Sequence, residues 1–317
     1  MKEFDTRAEA KSRAEFITPQ ALRQFLAEKI TTNDLSVLEP AIGSGQLLFE
    51  ISDKMQSIDG FDISQSAVDM CKQNFKGKGG NIECRDFITA EISKSYDVAI
   101  ANYPFSLPIS EEQKVAISND VFLSRFYSKD EDANESLFDI PKQVKPSEVN
   151  GVLDFIFILK SFQHAQEGFY FCFPGIGYRG QEEKFRKYLI ENKFIKEIGQ
   201  LNNCKFDHTS ISILFLHLTK IPNETTKSFT LDFKTNEYLE KVATFENNQF
   251  DYPRKVVEKE FFDPIEVERQ VRNSIIQNLK KELDLSSKLY DIDPELRKNL
   301  PTIEEFKQEI IDVLKSF

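Results

Sequence analysis

Two rhythms of apolar residues alternate along this chain. Short, dense apolar runs end abruptly at Gly, Pro, Asn or Asp, and between them apolar residues return every third or fourth position. The dense runs fall at 36–39, 57–61, 81–84, 96–101, 168–173, 195–201 and 210–218, and predict strands. Helical spacing is seen over 20–30, 46–52, 65–75, 151–166 and 182–192. Strands alternating with helices predict an α/β fold built on one mostly parallel, doubly wound sheet. It should hold about seven strands by residue 218, with helices on both faces.

Three stretches depart from this alternation. Residues 1–15 alternate charge with Ala and predict a helix. Residues 106–149 are rich in Ser, Asp, Glu, Asn and Pro with weak periodicity, which predicts an active-site lid or a flexible loop. After about residue 230 strand signals fade, and 267–283 and 302–317 read as amphipathic helices. The expected organisation is an α/β domain over 1–230 and a mainly helical region over 231–317. The tail helices either dock a partner or pack on the first domain.

Composition narrows the function. The 317 residues are 40% hydrophobic and 29% charged, enough for a sizeable core in a soluble globular protein. A net charge of −11 argues against a free-standing, charge-driven nucleic-acid binder. It leaves room for a protein whose grip on nucleic acid comes from a partner or a local groove. Cys71, Cys84, Cys172 and Cys204 are widely spaced without a CxxC pair, and two fall in apolar or strand-like runs, so buried free thiols are expected. With His164, His208 and His217 they form no zinc-ligand pattern, and no metal is expected. Residues 1–15 lack an apolar signal core, and the apolar runs at 155–159 and 211–218 fall short of the ~20 residues a membrane helix needs. A cytoplasmic protein with no membrane partner is expected.

Two strand ends carry the candidate chemistry. Glu39-Pro40-Ala41-Ile42-Gly43-Ser44-Gly45 is a glycine turn between a strand and a helix, where exposed amides favour a ligand. The dinucleotide fingerprint requires a third glycine where Leu48 stands, so a nicotinamide cofactor fits poorly. A nucleoside cofactor without a pyrophosphate has no such requirement. Asp62, at the next strand end, is placed either to accept both hydroxyls of a ribose or to cap the helix beside Ser64. The second turn is Asn102-Tyr103-Pro104-Phe105. An exocyclic aromatic amine is a weak nucleophile because its lone pair is conjugated into the ring. Two acceptors on its N–H groups, the Asn102 side-chain oxygen and the Tyr103 carbonyl, would bend it toward a tetrahedral nitrogen. Pro104 stiffens the turn, and Phe105 either stacks on a planar base or folds into the core.

These segments, in this order, resemble the gamma-class N6-adenine DNA methyltransferases, most closely the methylation subunits of type I restriction-modification systems. Phe16-Ile17-Thr18-Pro19 resembles the leading aromatic-x-Thr-Pro segment of the family, and Glu39–Gly45 its Asp-Pro-Ala-Cys-Gly-Ser-Gly loop. Asn102–Phe105 resembles Asn-Pro-Pro-Phe/Tyr, with Tyr103 at the second position. Asp154-Phe155-Ile156 resembles the helix before the fifth strand. Phe206, Thr209, Ile211, Ile213, Leu214 and Leu216 echo a pattern near the end of the catalytic domain. The resemblance covers residues 16 to about 220.

It implies a Rossmann-like, S-adenosylmethionine-dependent methyltransferase domain. The cofactor would lie over Glu39, Ala41, Gly43 and Gly45, with Thr18 at its methionine end and Asp62 on its ribose. Asp86 would meet the cofactor adenine and Phe87 would line its ring. The target would be a DNA adenine flipped out of the duplex, with Phe105 stacked on it and Phe206 as a second wall. The implied partner is a separate specificity subunit, and self-association stays open. The alternatives are N-methylation of RNA or of a protein amide, or a non-catalytic cofactor-binding subunit.

Overall fold

The computed structural model describes residues 17–128, 144–206 and 209–254, together with Glu305 and Gln308. All of its strands fall in one compact unit, Met1–Lys255. Helix α1 (Gln20–Lys29) presents Leu22, Phe25 and Leu26 on one buried face. Strand β1 (Leu35–Glu39) leads into a 3-10 helix, Gln46–Lys54, and then β2 (Met55–Asp62). Helix α2 (Gln65–Asn74) starts at Ser64, whose hydroxyl accepts from Ala67 N as an N-cap. Strands β3 (Ile82–Cys84) and β4 (Tyr96–Ala101) follow, then α3 (Glu111–Asn119), α4 (Val121–Ser124) and α5 (Asp154–Gln163). The chain continues through β5 (Ala165–Cys172), α6 (Glu183–Glu191), β6 (Ile195–Phe206) and β7 (Thr209–Thr219). It closes with β8 (Lys227–Asp232) and β9 (Glu237–Val242).

The strands form one nine-stranded sheet in the order β3-β2-β1-β4-β5-β7-β6-β8-β9. From β3 to β5 every pairing is parallel. Strand β7 enters antiparallel between β5 and β6. Because side chains alternate across a strand, neighbours along each strand serve opposite layers. Val37, Phe169, Phe171 and Phe215 join α1, α2 and the 3-10 helix in one core. Leu38, Tyr170, Cys172 and Leu216 join α5 and α6 in the other. Every residue of helix α5 from Asp154 to Phe162 is buried. Its apolar residues therefore fall on all faces, and the buried Asp154, Lys160 and Ser161 each hydrogen-bond inside the core.

The sheet runs two strands beyond the expected seven, and position 230 lies inside β8. Strand β9 is polar because it is an edge: Tyr238, Glu240 and Val242 face solvent, and Lys227 Nζ on β8 donates to Glu240. The segment after Gly45 is 3-10 rather than α-helical. Within 106–149, Ser110 and Gln113 form a capping box for α3, and Ile109, Ile117 and Leu123 are buried in the core. Residues 1–16 and 129–143 lie outside the described residues, as does the helix expected over 267–283. The helix expected over 302–317 is described only at Glu305 and Gln308, both helical and exposed. Of the cysteines, all four are free and only Cys84 is exposed. No helix among the described residues is long and apolar enough to cross a membrane.

Phe215 is the hub of the first core. It is fully buried, with its ring 4.9 Å from Phe25 on α1, 5.8 Å from Phe171 and 6.2 Å from Phe229. Phe215→Ala is expected to lower unfolding free energy by ~3–5 kcal/mol in denaturant titration. A loss below ~1 kcal/mol would show that this layer does not carry the sheet.

Candidate active site

The first half of the site is the turn after β1. Ile42 N donates to Phe61 O at 2.9 Å, which ties the turn to the end of β2. Gly45 has φ +83°, and a Cβ there would lie 2.4 Å from Phe75 and 2.8 Å from Cys71 Sγ. Only glycine meets both demands. Gly43 has φ +53°, and a Cβ there would meet nothing within 4 Å. The backbone is thus left bare toward open space, as a close-lying ligand requires. Asn74 Nδ2 at the end of α2 donates to Ser44 O at 3.0 Å and braces the turn from behind.

Two carboxylates flank this turn. Asp62 Oδ2 accepts from Gly43 N at 2.9 Å, and its Oδ1 accepts from Ser64 N at 2.8 Å. Ser64, not Asp62, caps α2, so the Asp62 carboxylate spans the two strand ends instead. Glu39 is 1% exposed, and its Oε1 accepts from Ala41 N at 3.2 Å. Burial pushes its carboxyl well above the ordinary range; the Ala41 hydrogen bond opposes this and the nearby Asp62 adds to it.

The second half is the turn after β4. Asn102 is half-buried, and its Nδ2 donates to Thr18 Oγ1 at 2.9 Å. Tyr103 is 1% exposed, its ring stacked on Phe157 at 5.3 Å with 4° between the planes. Phe157 stacks in turn on Phe87 at 6.0 Å and 10°. So the second position of this tetrapeptide is anchored by a core aromatic, where the related motif uses a ring-stiffened backbone. Phe105 is half-buried, 6.1 Å edge-on to Tyr103 and 6.4 Å from Phe173.

The next residue, Ser106, has φ +58°, a conformation that costs energy for a side-chain-bearing residue. Its N–H donates to Asp154 Oδ1 at 2.7 Å, and Asp154 is fully buried. Arg179 Nη2 donates to the other Asp154 oxygen at 3.0 Å and to Glu182 Oε1 at 2.5 Å. This buried ion cluster holds the strained turn that aims Phe105.

Both halves open into one cavity of about 590 Å³, within the usual range for small-molecule sites. Thr18, Glu39, Ala41, Gly43 and Asp62 line it together with Asn102, Tyr103, Pro104, Phe105 and Phe206. Since the Tyr103 ring is turned into the core, its backbone is what remains to face the cavity. Gly45, Asp86 and Phe87 are not among the lining residues. Phe87 is 2% exposed in the core. The Asp86 carboxylate accepts from Ile88 N at 2.8 Å and from Gln113 Nε2 on α3 at 2.7 Å. Sequence reading missed Ile63, which lines the cavity at 78% exposure, and Gln46, which lines it while buried. The signal for Ile63 was available: an apolar residue directly after a strand-ending acid.

The Glu39 carboxyl ionises less readily in the folded chain than in the unfolded one. Its contribution to stability is therefore full below pH 4.5 and is lost as pH rises through the raised value. Glu39→Gln removes that loss. The melting temperature of the variant, relative to wild type, should climb as pH is raised from 4.5 toward neutrality; a flat difference would contradict this. Asp154→Ala leaves Ser106 N–H without its buried acceptor while Arg179 keeps Glu182, and unfolding free energy should fall by ~1–3 kcal/mol.

The N-6 DNA Methylase family model matches residues 1–287. The chain is 29% identical over 262 residues to the type I restriction enzyme MpnII methylase subunit of Mycoplasma pneumoniae (strain ATCC 29342 / M129 / Subtype 1). That alignment covers 72% of this chain and 44% of the relative, so the chain spans less than half of that protein's length. The fold resembles the type I restriction-modification system methyltransferase subunit of Streptococcus thermophilus. There the TM-score is 0.53 at 18% identity, over 79% of this chain and 54% of the other. It also resembles a modification subunit of a putative type I restriction enzyme from Vibrio vulnificus YJ016. That match has TM-score 0.54 at 13% identity, over 77% of this chain and 60% of the other. At these identities the two structures speak for the methyltransferase fold, and the sequence match speaks for more: the chain belongs to the N-6 DNA methylase family.

Proposed function

We propose that this protein transfers a methyl group from S-adenosylmethionine to N6 of an adenine in DNA, as the methylation subunit of a cytoplasmic type I restriction-modification assembly. The observation that carries this reading is the single cavity joining the Glu39–Gly45 turn and Asp62 to Asn102–Phe105. Family membership supports the reaction class. The names of the relatives support the assembly, and the net charge of −11 favours a separate specificity subunit as DNA reader.

The residues present fit the cofactor. The bare backbone at Gly43 admits close approach, and the Asp62 carboxylate lines the same cavity as an acceptor for ribose hydroxyls. Thr18, Glu39 and Ala41 complete that wall. When bound, S-adenosylmethionine supplies a methyl group activated on a sulfonium. The chain supplies position and acceptors. Asn102 Oδ1 and the Tyr103 carbonyl take the two N6 hydrogens and localise the lone pair on nitrogen. Phe105 stacks on the base and Phe206 closes its other side. Taking adenine out of the duplex costs a few kcal/mol, which this stacking offsets. Rate then comes from orientation and oriented dipoles rather than from a general base.

The test is methyl transfer from labelled S-adenosylmethionine to adenine-containing DNA, with and without a co-expressed specificity partner, followed by nucleoside analysis of the product. N6-methyldeoxyadenosine is expected. Asn102→Ala should lower transfer ~10²–10³-fold while cofactor Kd shifts by less than about threefold. Equal transfer by both proteins would sink the role of Asn102. Transfer only to RNA or to a protein amide would move the substrate class.

A further inference from the structure

The Asn102–Thr18 hydrogen bond does more than join two cavity walls. A side-chain amide has one accepting end and one donating end, and only the accepting Oδ1 can serve an exocyclic amine. The terminal torsion of Asn is broad and roughly two-fold, so its own covalent geometry does not choose which end faces the substrate. A neighbour must choose. Thr18 Oγ1 accepts from Asn102 Nδ2 at 2.9 Å, which leaves Oδ1 for the substrate.

A hydroxyl is an ambiguous neighbour by itself. It accepts from Nδ2 in one amide orientation and donates to Oδ1 in the other. The ambiguity ends only when the hydroxyl hydrogen is committed to a different acceptor. Thr18 is 6% exposed and lines the cavity, so that acceptor would be a cavity ligand. The one anionic group of S-adenosylmethionine is its carboxylate. Asp62 repels it, and among the described residues no Lys, Arg or His lines the cavity to hold it. Thr18 offers it a neutral donor two residues ahead of α1, whose N-terminal end favours a carboxylate.

We infer that Thr18 is a positioning residue that sets the Asn102 amide, and that cofactor locks the setting seen here. With the hydroxyl hydrogen given to the carboxylate, Thr18 Oγ1 can only accept. Asn102 must then turn Nδ2 to Thr18 and Oδ1 to the base. This deepens the methyltransferase reading and rests on it for the identity of the ligand.

The test has two arms. In the first, the Asn102 side-chain NH2 resonances, assigned by their loss in Asn102→Ala, are followed in the isolated chain. S-adenosylhomocysteine should slow their exchange with solvent in wild type and in Thr18→Ser. It should not do so in Thr18→Val. Neither should 5′-methylthioadenosine, which lacks the carboxylate, in wild type. Identical behaviour of wild type and Thr18→Val would overturn the inference. In the second arm, single-turnover transfer is measured at saturating cofactor. Thr18→Val should stay about tenfold or more below wild type, with Thr18→Ser recovering most of the loss. Full recovery of Thr18→Val at saturation would reduce Thr18 to a cofactor contact and overturn the positioning role. If wild type methylates no adenine at all, the proposed function fails, and the amide resonances still decide the role of Thr18.

Discussion

The parallel pairing of β1 with both β2 and β4 is the constraint on which the rest of the structure depends. Parallel neighbours end at the same edge of a sheet, and each is followed there by its own turn. Here this places the Gly43–Gly45 turn, Asp62 and Asn102 along one edge. The three are far apart in sequence, yet the register Val37 with Val98 and Glu39 with Gly60 brings their strands into line. The chemistry of the cavity follows from that alignment: one bare glycine, two carboxylates and one oriented amide around a shared space.

The remaining layers serve to keep those strand ends still. On one side the core of α1, α2 and Phe215 holds the backs of β1 and β2. On the other, the stack of Phe87, Phe157 and Tyr103 pins the second turn from beneath. The residue that departs most from the related motif, Tyr103, is therefore part of the support. It trades the stiffness of a proline ring for a buried aromatic contact. Asp154 adds a polar clamp on Ser106, and its ion pair with Arg179 carries that clamp to the turn after β5. Distortion of either support would be felt at Phe105.

Much of this was legible in the sequence because the signals are local. Dense apolar runs with abrupt ends marked β1 to β7, and glycine with strand-end acids marked the Glu39–Gly45 turn and Asp62. Features that rest on contacts between distant residues were not legible. Strand β9 is an edge in which every second residue faces solvent, and Glu237, Glu240 and Lys241 interrupt its apolar residues, so no apolar run marks it. Helix α3 is found through its Ser110–Gln113 capping box rather than through an apolar face. The Asn102–Thr18 bond spans 84 residues, and the Asp154–Ser106 clamp 48. Asp86 and Phe87 show the converse. Their place in the motif order is clear, yet the fold engages Asp86 with Gln113 and buries Phe87 beneath the Asn102 turn.

The central claim is that one cavity takes the cofactor against Asp62 and presents the Asn102 amide oxygen and Tyr103 carbonyl to the base. A crystal structure of the chain with S-adenosylhomocysteine tests it most directly. The account predicts ribose hydroxyls on the Asp62 carboxylate, the ligand thioether facing Asn102, and Nδ2 of Asn102 turned to Thr18. A ligand seated elsewhere, or an Asn102 side chain turned away from the thioether, would contradict it.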